Sequence, residues 1–280
     1  MTAEPVTNAQ ALATAAAQGL ERLDAQLLLL HVLGRPPSDR GWLLAHDRDE
    51  LQADAQHQYA QLCTRRASGE PLAYIMGHKE FFGLNMAVDR RVLVPRPDTE
   101  VLVEWALDLI PVQSPFKVVD LGTGSGAIAL AIKHQRPLAQ VDAVDSSSDA
   151  LAVAQDNARR LGLSLTFHHA SWLAAATAPY DLIVSNPPYI QADDAHLAAL
   201  AAEPLTALAS GTDGLADLRQ IIMQAPERLV PGGWLLLEHG WDQATAVRSL
   251  LANAGFAQIA THRDLSGHQR CSGGRWPERG

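Results

Sequence analysis

From residue 117 onward, short apolar runs typical of buried strands alternate with longer segments in which apolar residues recur at helical spacing. The predicted strands cover residues 116–121, 140–144, 164–168, 181–185 and 234–238, with two C-terminal strands near 257–263 and 268–276. The predicted helices cover residues 127–134, 148–161, 215–229 and 244–254. Such alternation favours an α/β fold with a mostly parallel sheet and helices on both faces. Ligands of such sheets bind at the carboxyl ends of the strands.

A glycine-rich turn follows the first of these strands. It has a GxGxG spacing and consists of Gly122, Thr123, Gly124, Ser125 and Gly126. Glycines allow a tight turn and a close approach of the backbone to a ligand, and the next helix offers unpaired N–H groups. The spacing is one residue tighter than the GxGxxG of dinucleotide sites. It therefore favours a small nucleoside that carries an amino acid.

An acidic residue, Asp145, ends the second predicted strand, nineteen residues after Gly126. A carboxylate at this position can accept hydrogen bonds from both hydroxyls of a ribose. The alternative is that Asp145 caps the next helix, but the serines at positions 146–148 can do this instead. We therefore predict that Asp145 holds a ribose.

A second turn, Asn186-Pro187-Pro188-Tyr189, follows the strand predicted for residues 181–185. Two consecutive prolines lack N–H donors and end the strand, so a polar amide is held on a rigid turn. The side-chain oxygen of Asn186 can accept one N–H of a planar NH2 group, and the carbonyl of Pro187 can accept the other. The Tyr189 ring can wall a flat acceptor. We predict that this Asn-Pro-Pro-Tyr turn binds the substrate and holds a planar nitrogen in place.

The first part of the chain has a different pattern. Residues 1–73 contain no strand signal, and leucines at positions 20, 23, 27 and 30 recur at helical spacing, so we predict a small all-helical domain. Residues 74–95 are predicted to form a linking β-hairpin whose strands flank Asp89 and Arg90, and residues 96–280 the catalytic domain. A helical appendage can serve packing alone, but modules beside a catalytic sheet often choose its substrate. We expect substrate recognition here.

Net charge and residue composition disfavour nucleic-acid binding, metal binding and membrane contact. The 280-residue chain has a formal net charge of −9, which disfavours direct nucleic-acid binding because that binding depends on phosphate neutralisation. Cys63 and Cys271 have no metal-site spacing, and the adjacent His168 and His169 would point to opposite faces of a strand, so no metal is expected. The sequence shows neither a signal peptide nor an apolar run long enough for a bilayer. We expect a cytoplasmic monomer without membrane contact.

The glycine turn followed by Asp145 resembles the donor site of class I S-adenosylmethionine-dependent methyltransferases. The resemblance implies a Rossmann-like, seven-stranded, mostly parallel sheet, with S-adenosyl-L-methionine as cofactor and S-adenosyl-L-homocysteine as product. It also implies that the glycine turn cradles the methionine end and that Trp172 packs on the adenine; a purely structural core tryptophan is the alternative. Asn186 would border both the cofactor and the acceptor.

The Asn-Pro-Pro-Tyr turn leaves adenine, cytosine and a glutamine amide open as acceptors. From about residue 20 to 270, the chain resembles the bacterial peptide chain release factor glutamine methyltransferases. The matching segments are residues 65–66, 69–71, 80–82, 95–100, 120–130, 184–190, 203–208 and 235–241. The resemblance implies methylation of N5 of the glutamine in the Gly-Gly-Gln motif of class I release factors, which would be the protein partners. The alternatives are glutamine methylation of a ribosomal protein and amino-methylation of DNA or RNA, which would require base flipping.

The chain departs from this family's pattern in three places. Ser171 precedes Trp172 where many relatives carry an acidic residue, so we expect a weaker or water-mediated adenine contact. The loop at residues 190–203, expected to cover the substrate, is shorter and lacks an Arg-aromatic pair before Glu203. The tail at residues 271–280 is glycine-rich, unlike that of relatives. None of these departures touches the residues predicted to carry the chemistry.

Overall fold

A computed structural model of the chain describes residues 6–175 and 179–278. The chain divides into two compact units, Met1–Gly77 and His78–Gly280. In the described part of the chain, no helix is both long enough and apolar enough to cross a membrane.

The first unit contains five α-helices within its described residues: α1 (Asn8–Ala17), α2 (Arg22–Val32), α3 (Arg40–Ala45), α4 (Ala53–Ala67) and α5 (Leu72–Met76). Thr7 and Gln10 form a reciprocal capping box at the start of α1. Leu28, Leu29 and Leu30 of α2 are fully buried and centre the core of this unit. Gly77, with a left-handed backbone (φ 76°), ends α5 and the unit.

The second unit begins with an antiparallel hairpin, β1 (His78–Phe81) and β2 (Leu84–Ala87). The prediction that this hairpin turns at Asp89 and Arg90 was wrong. The turn is Phe82-Gly83, where both residues have positive φ (51° and 79°), as in the type I′ turns that favour two-residue hairpins. Asp89 instead accepts a hydrogen bond from the Arg91 backbone N–H (3.0 Å), and residues 91–94 form an irregular segment.

The remaining strands form one seven-stranded sheet, which confirms the predicted fold class. The strands are β3 (Lys117–Leu121), β4 (Gln140–Asp145), β5 (Thr166–His169), β6 (Tyr180–Ser185), β7 (Leu229–Glu238), β8 (Ala257–Arg263) and β9 (Gln269–Arg275). Their spatial order is β5-β4-β3-β6-β7-β9-β8, with parallel pairing from β5 to β7 and antiparallel pairing of β9 with its two neighbours.

Five helices accompany the sheet: α6 (Glu100–Leu109), α7 (Ala127–Gln135), α8 (Ser148–Leu161), α9 (Ala216–Gln224) and α10 (Ala244–Asn253). Apolar residues of β3, β6 and β7 form one large buried cluster with α9 and α10. The helix predicted for residues 215–229 was too long. It ends at Gln224, and Pro226 follows in a 3-10 turn because proline has no N–H to continue an α-helix.

The register of the central strands places the predicted motifs together. Leu121 of β3 pairs with Val144 of β4 on one side and with Ser185 of β6 on the other. The residues that follow these three positions therefore leave the sheet side by side at its carboxyl edge. The strand order also reverses between β4 and β6, on either side of β3, and such a switch point is where open α/β sheets bind ligands.

Candidate active site

A cavity of about 520 Å³ lies at this carboxyl edge. Six predicted site residues line it: Gly122, Gly124, Asp145, Trp172, Asn186 and Pro188. The other predicted residues are not part of its lining: Thr123, Ser125, Gly126, Pro187 and Tyr189. A volume of several hundred Å³ suits a nucleoside-sized ligand.

The glycine turn bends sharply against β4. Both the Gly122 and Thr123 backbone N–H groups donate to the Val144 carbonyl (2.8 and 2.9 Å), and Gly122 has a φ of 70°. A Cβ at Gly122 would come within 3.2 Å of the Trp172 ring, so that ring packs directly on the turn. A Cβ at Gly124 would meet nothing within 4 Å. The backbone at Gly124 is therefore open to a ligand.

The three turn residues outside the lining fix the shape of the turn. The Thr123 hydroxyl donates to Asp120 Oδ2 (2.7 Å), and Asn157 Nδ2 donates to the Ser125 carbonyl (2.9 Å). Gly126 has a φ of 84°, and a Cβ there would lie 2.9 Å from Leu130 Cδ1 and 3.2 Å from Ala154 Cβ, so backbone conformation and packing both favour glycine.

Asp120, at the end of β3, is a buried carboxyl that the sequence analysis assigned no role. Its Oδ2 accepts from Thr123 and from the Ala129 backbone N–H (3.2 Å), while Oδ1 is buried without a hydrogen-bond partner among the described residues. Burial raises the pKa of Asp120 to about 7. Asp120 thereby joins the glycine turn to the first turn of α7.

Asp145 ties two backbone segments together. Its Oδ2 accepts from the Gly124 N–H (2.9 Å) and its Oδ1 from the Ser147 N–H (2.8 Å). The cap of α8 is Ser147, whose hydroxyl oxygen accepts from the Ala150 N–H (3.1 Å). Because a carboxylate oxygen has two lone pairs, each oxygen of Asp145 retains one for a ligand hydroxyl.

Trp172 follows β5 and begins a 3-10 turn with an unusual left-handed backbone (φ 46°). Its ring is half-buried, packs against the core cluster and lines the cavity, so both roles considered from the sequence have a structural basis. Ser171 also lines the cavity. Residues 190–203, in contrast, are not part of the lining; the nearby contributors are Pro204, Thr206 and Ala207.

The Asn186 amide has a defined orientation. Its Nδ2 donates to the hydroxyl of buried Thr99 (3.2 Å), which turns Oδ1 into the available acceptor of the amide. On the same turn, the Tyr189 hydroxyl donates to Glu238 Oε1 (3.3 Å), and burial raises the pKa of Tyr189. Gln243 Nε2 donates to the Tyr189 carbonyl (2.9 Å), and a Cβ at Gly214 would overlap that carbonyl.

Sequence reasoning missed the side chains that brace this wall. Glu203 is buried; its Oε2 accepts from the Val94 backbone N–H (3.0 Å) and its Oε1 from Arg96 Nη2 (2.5 Å). The acid thus joins the irregular segment after the hairpin to the cavity-lining residues that begin at Pro204. A glutamate directly before a proline, in a segment resembling the family, was the available signal.

The site thus offers an accessible glycine backbone, a carboxylate, an aromatic ring and an oriented amide. Within residues 6–175 and 179–278, no group of three or more His, Cys, Asp or Glu side chains is arranged to hold a metal ion. The chemistry that this arrangement can perform is the binding of a nucleoside and the orientation of a planar acceptor beside it.

Comparisons with known proteins identify the family and the fold of the chain. The family model described as the PrmC N-terminal domain matches residues 6–77, and that described as the methyltransferase small domain matches residues 99–254. A crystal structure of a methyltransferase from Pyrococcus furiosus shares the fold, with a TM-score of 0.56 at 16% identity, covering 79% of this chain and 100% of that one.

Two curated relatives match nearly the whole chain. The release factor glutamine methyltransferase of Bordetella pertussis is 50% identical over 260 residues, which are 91% of this chain and 95% of that protein. The release factor glutamine methyltransferase of Xylella fastidiosa (strain Temecula1) is 48% identical over 271 residues, 95% of this chain and 98% of that protein. The chain therefore belongs to the release factor glutamine methyltransferase family.

Proposed function

We propose that the protein transfers a methyl group from S-adenosyl-L-methionine to N5 of the glutamine in the Gly-Gly-Gln motif of class I release factors. The observation that carries the proposal is the Asn186 amide, which Thr99 orients at the wall of a cavity that Gly124 and Asp145 also line. Relatives about half identical to the chain are named for this activity.

The cavity residues fit the cofactor. The backbone at Gly124 is open for the methionine end, both Asp145 oxygens retain lone pairs for the ribose hydroxyls, and Trp172 lines the same cavity as an aromatic partner for the adenine. We infer that these residues, with Gly122 and the neighbouring Asn186, hold it. When bound, S-adenosyl-L-methionine supplies a methyl group activated by a positively charged sulfonium.

The Asn-Pro-Pro-Tyr turn compensates for the weak nucleophilicity of an amide nitrogen. Asn186 Oδ1 accepts one N–H of the substrate amide and the Pro187 carbonyl accepts the other, which fixes the nitrogen in position. The same two acceptors stabilise the positive charge that grows on the nitrogen. Pro188 keeps the turn rigid, and the Tyr189 ring packs against one face of the flat acceptor. No strong base is required, because the methylated nitrogen is acidic enough to release its proton to water.

The choice of substrate is tested by competition. The protein is incubated with methyl-labelled cofactor, a class I release factor and ribosomal proteins together, and the labelled species is identified by mass spectrometry. We expect label on the release-factor glutamine, and none on a release factor whose Gly-Gly-Gln glutamine is replaced by alanine. Label on a ribosomal protein, or on added DNA or RNA, would contradict the proposed substrate. The net charge of −9 supports the expectation of no direct nucleic-acid contact.

We infer a recognition role for the first unit, Met1–Gly77, which the PrmC N-terminal domain model matches. Deleting residues 1–77 should lower kcat/KM for whole release factor by about tenfold or more, equivalent to ~1.4 kcal/mol of docking energy. Methylation of a short Gly-Gly-Gln peptide should change only a few-fold. Peptide turnover and thermal unfolding report that the second unit is folded. Equal losses on both substrates would assign the first unit a packing role.

The oligomeric state and location belong to the proposal as well. We infer a monomer that acts in the cytoplasm, where release factors are found.

A further inference from the structure

Glu238 lies beside the Asn-Pro-Pro-Tyr turn, although 52 positions separate it from Asn186 in the sequence. It is the last residue of β7, and its neighbour Leu237 pairs with Ser185 of β6. The parallel register therefore sets Glu238 next to Asn186 at the carboxyl edge of the sheet. Its side chain is 1% exposed.

Glu238 contacts Tyr189 and lies beside the residue that orients Asn186. Its Oε1 accepts from the Tyr189 hydroxyl (3.3 Å). The Thr99 side chain, which accepts from Asn186 Nδ2 (3.2 Å), lies close enough to the carboxyl to favour its ionised form. Its Oε2 is buried with no hydrogen-bond partner among the residues that the structure describes. A buried carboxyl with an unpartnered oxygen is uncommon and calls for an explanation.

The charged and titratable groups around Glu238 come from three elements. The turn before α6 contributes Asp98 together with Thr99, the Asn-Pro-Pro-Tyr turn contributes Tyr189, and β9 contributes Arg270. Cys271 lies opposite Glu238 on β9, and Arg96 acts on Tyr189. Arg270 is shared, because it also pairs with Asp264 (3.0 Å) and Asp98 (3.3 Å). Glu238 thus has a partial counter-charge only.

This environment is unfavourable for the ionised acid. Burial raises the pKa of Glu238 to about 7, against an ordinary value of 4.5. Because the folded pKa is the higher one, the contribution of Glu238 to stability is present at acidic pH and is lost as the pH rises through about 7. A group that costs stability at neutral pH, contacts the predicted substrate-binding residue Tyr189 and lies beside the residue that orients Asn186 indicates a functional role.

The ionised carboxylate defines the direction of every hydrogen bond in the network. A carboxylate can only accept, so the Tyr189 hydroxyl must donate to it, and the adjacent Thr99 hydroxyl can bond to it only as a donor. With its hydrogen committed, the Thr99 oxygen can only accept, and it accepts Nδ2–H of Asn186. The amide can then have only one orientation, with Oδ1 as the substrate acceptor. A protonated or amidated Glu238 can donate, which removes this constraint.

We propose that Glu238, acting through Thr99 and Tyr189, is a positioning residue that fixes the Asn186 amide oxygen and the Tyr189 ring for the acceptor glutamine. The inference rests on the proposed function as far as kinetics are concerned. It also predicts that the Asn186 side-chain signal of the substrate-free protein changes with pH, and this prediction does not depend on which substrate the protein methylates.

The kinetic test compares Glu238→Gln, which conserves shape, with Glu104→Gln on the exposed side of α6 as the matched control. We expect Glu238→Gln to lower kcat on release factor by roughly 10- to 100-fold with KM changed only a few-fold, since misplaced substrate contacts cost rate in this range. The wild-type kcat should rise with pH through about 7, and this acidic limb should be absent in Glu238→Gln. Glu104→Gln should retain both the wild-type kcat and the acidic limb of its pH profile.

Thr99→Val provides the coupling test. If both residues act through Asn186, the losses in Thr99→Val and Glu238→Gln should not multiply in the double variant. In the Asn186→Ala background, Glu238→Gln should lower kcat by no more than about a further threefold. This remaining decrease is the contribution that Glu238 makes through Tyr189. Fully multiplicative effects, or an acidic limb that persists in Glu238→Gln, would overturn the inference.

Nuclear magnetic resonance separates this inference from the proposed function. In ¹⁵N-labelled protein without substrate, the side-chain NH2 signal of Asn186, identified by its loss in Asn186→Ala, should shift with a midpoint near pH 7. The shift should vanish in Glu238→Gln and in Thr99→Val. An Asn186 signal that is indifferent to pH, in protein that still methylates release factor, would overturn the positioning role while the function stands. If the Asn186 signal titrates as expected but the protein does not methylate release factor, the proposed function would be overturned and the positioning role would stand.

Discussion

Replacing Asn186 with alanine should lower kcat on release factor by on the order of 10²–10³-fold, the loss typical when one preorganised polar contact to a developing charge is removed. The amide is fixed by its donation to Thr99 (3.2 Å) and lines the cavity, so its oxygen is available to the substrate NH2 group. Without it, the nitrogen keeps one acceptor, the Pro187 carbonyl, and can rotate away from the donor. The decrease in kcat is measured from the rate at which label is transferred from the cofactor to release factor.

The control for this change is Asn253→Ala, an exposed asparagine at the end of α10, which should retain wild-type turnover. Cofactor affinity of Asn186→Ala, measured by calorimetry, should stay within a few-fold of wild type, because the ribose and methionine contacts are assigned elsewhere. Turnover near wild type would contradict the role of Asn186 in holding the acceptor. A collapse of cofactor affinity would mean that Asn186 acts mainly by holding the cofactor rather than the acceptor.

The sequence predicted those site residues whose position can be inferred from one short local segment. The glycine turn and Asp145 each sit at the end of an apolar strand, and the two prolines after Asn186 force a turn by covalent geometry. Parallel pairing then makes their meeting at one sheet edge a consequence of the fold class. Placing strand ends was therefore enough to bring them together.

Thr99 and Glu238 had no such signal. Thr99 meets Asn186 across 87 positions, and Glu238 meets Tyr189 across 49, so their contacts depend on how α6 and β7 pack. A glutamate that ends an apolar strand is usually solvated, and its burial is visible only once β9 covers that edge. The hairpin turn was misplaced for a related reason. Phe82 adopts a positive φ, which bulky residues rarely do, while Asp89-Arg90 has ordinary turn composition.

The second large effect is expected for Asp145→Ala, which should weaken the binding of S-adenosyl-L-homocysteine by about 100-fold, since hydrogen bonds to charged groups contribute about 1.5–3 kcal/mol each. Part of this loss is indirect. Asp145 also accepts from the N–H groups of Gly124 (2.9 Å) and Ser147 (2.8 Å), so alanine leaves two backbone donors without their acceptor and loosens the glycine turn.

A cycle between protein and ligand separates the two contributions. Calorimetry is repeated with an analogue of S-adenosyl-L-homocysteine in which the ribose 2′-hydroxyl is replaced by hydrogen. If the carboxylate grips the ribose, wild type should lose affinity for this analogue by about tenfold, and Asp145→Ala, which has no acceptor left to satisfy, should lose much less. Equal losses in both proteins would remove Asp145 from ribose binding and leave it as a support of the turn. The lone pair that each Asp145 oxygen retains beside its backbone donor is the reason to expect the first result.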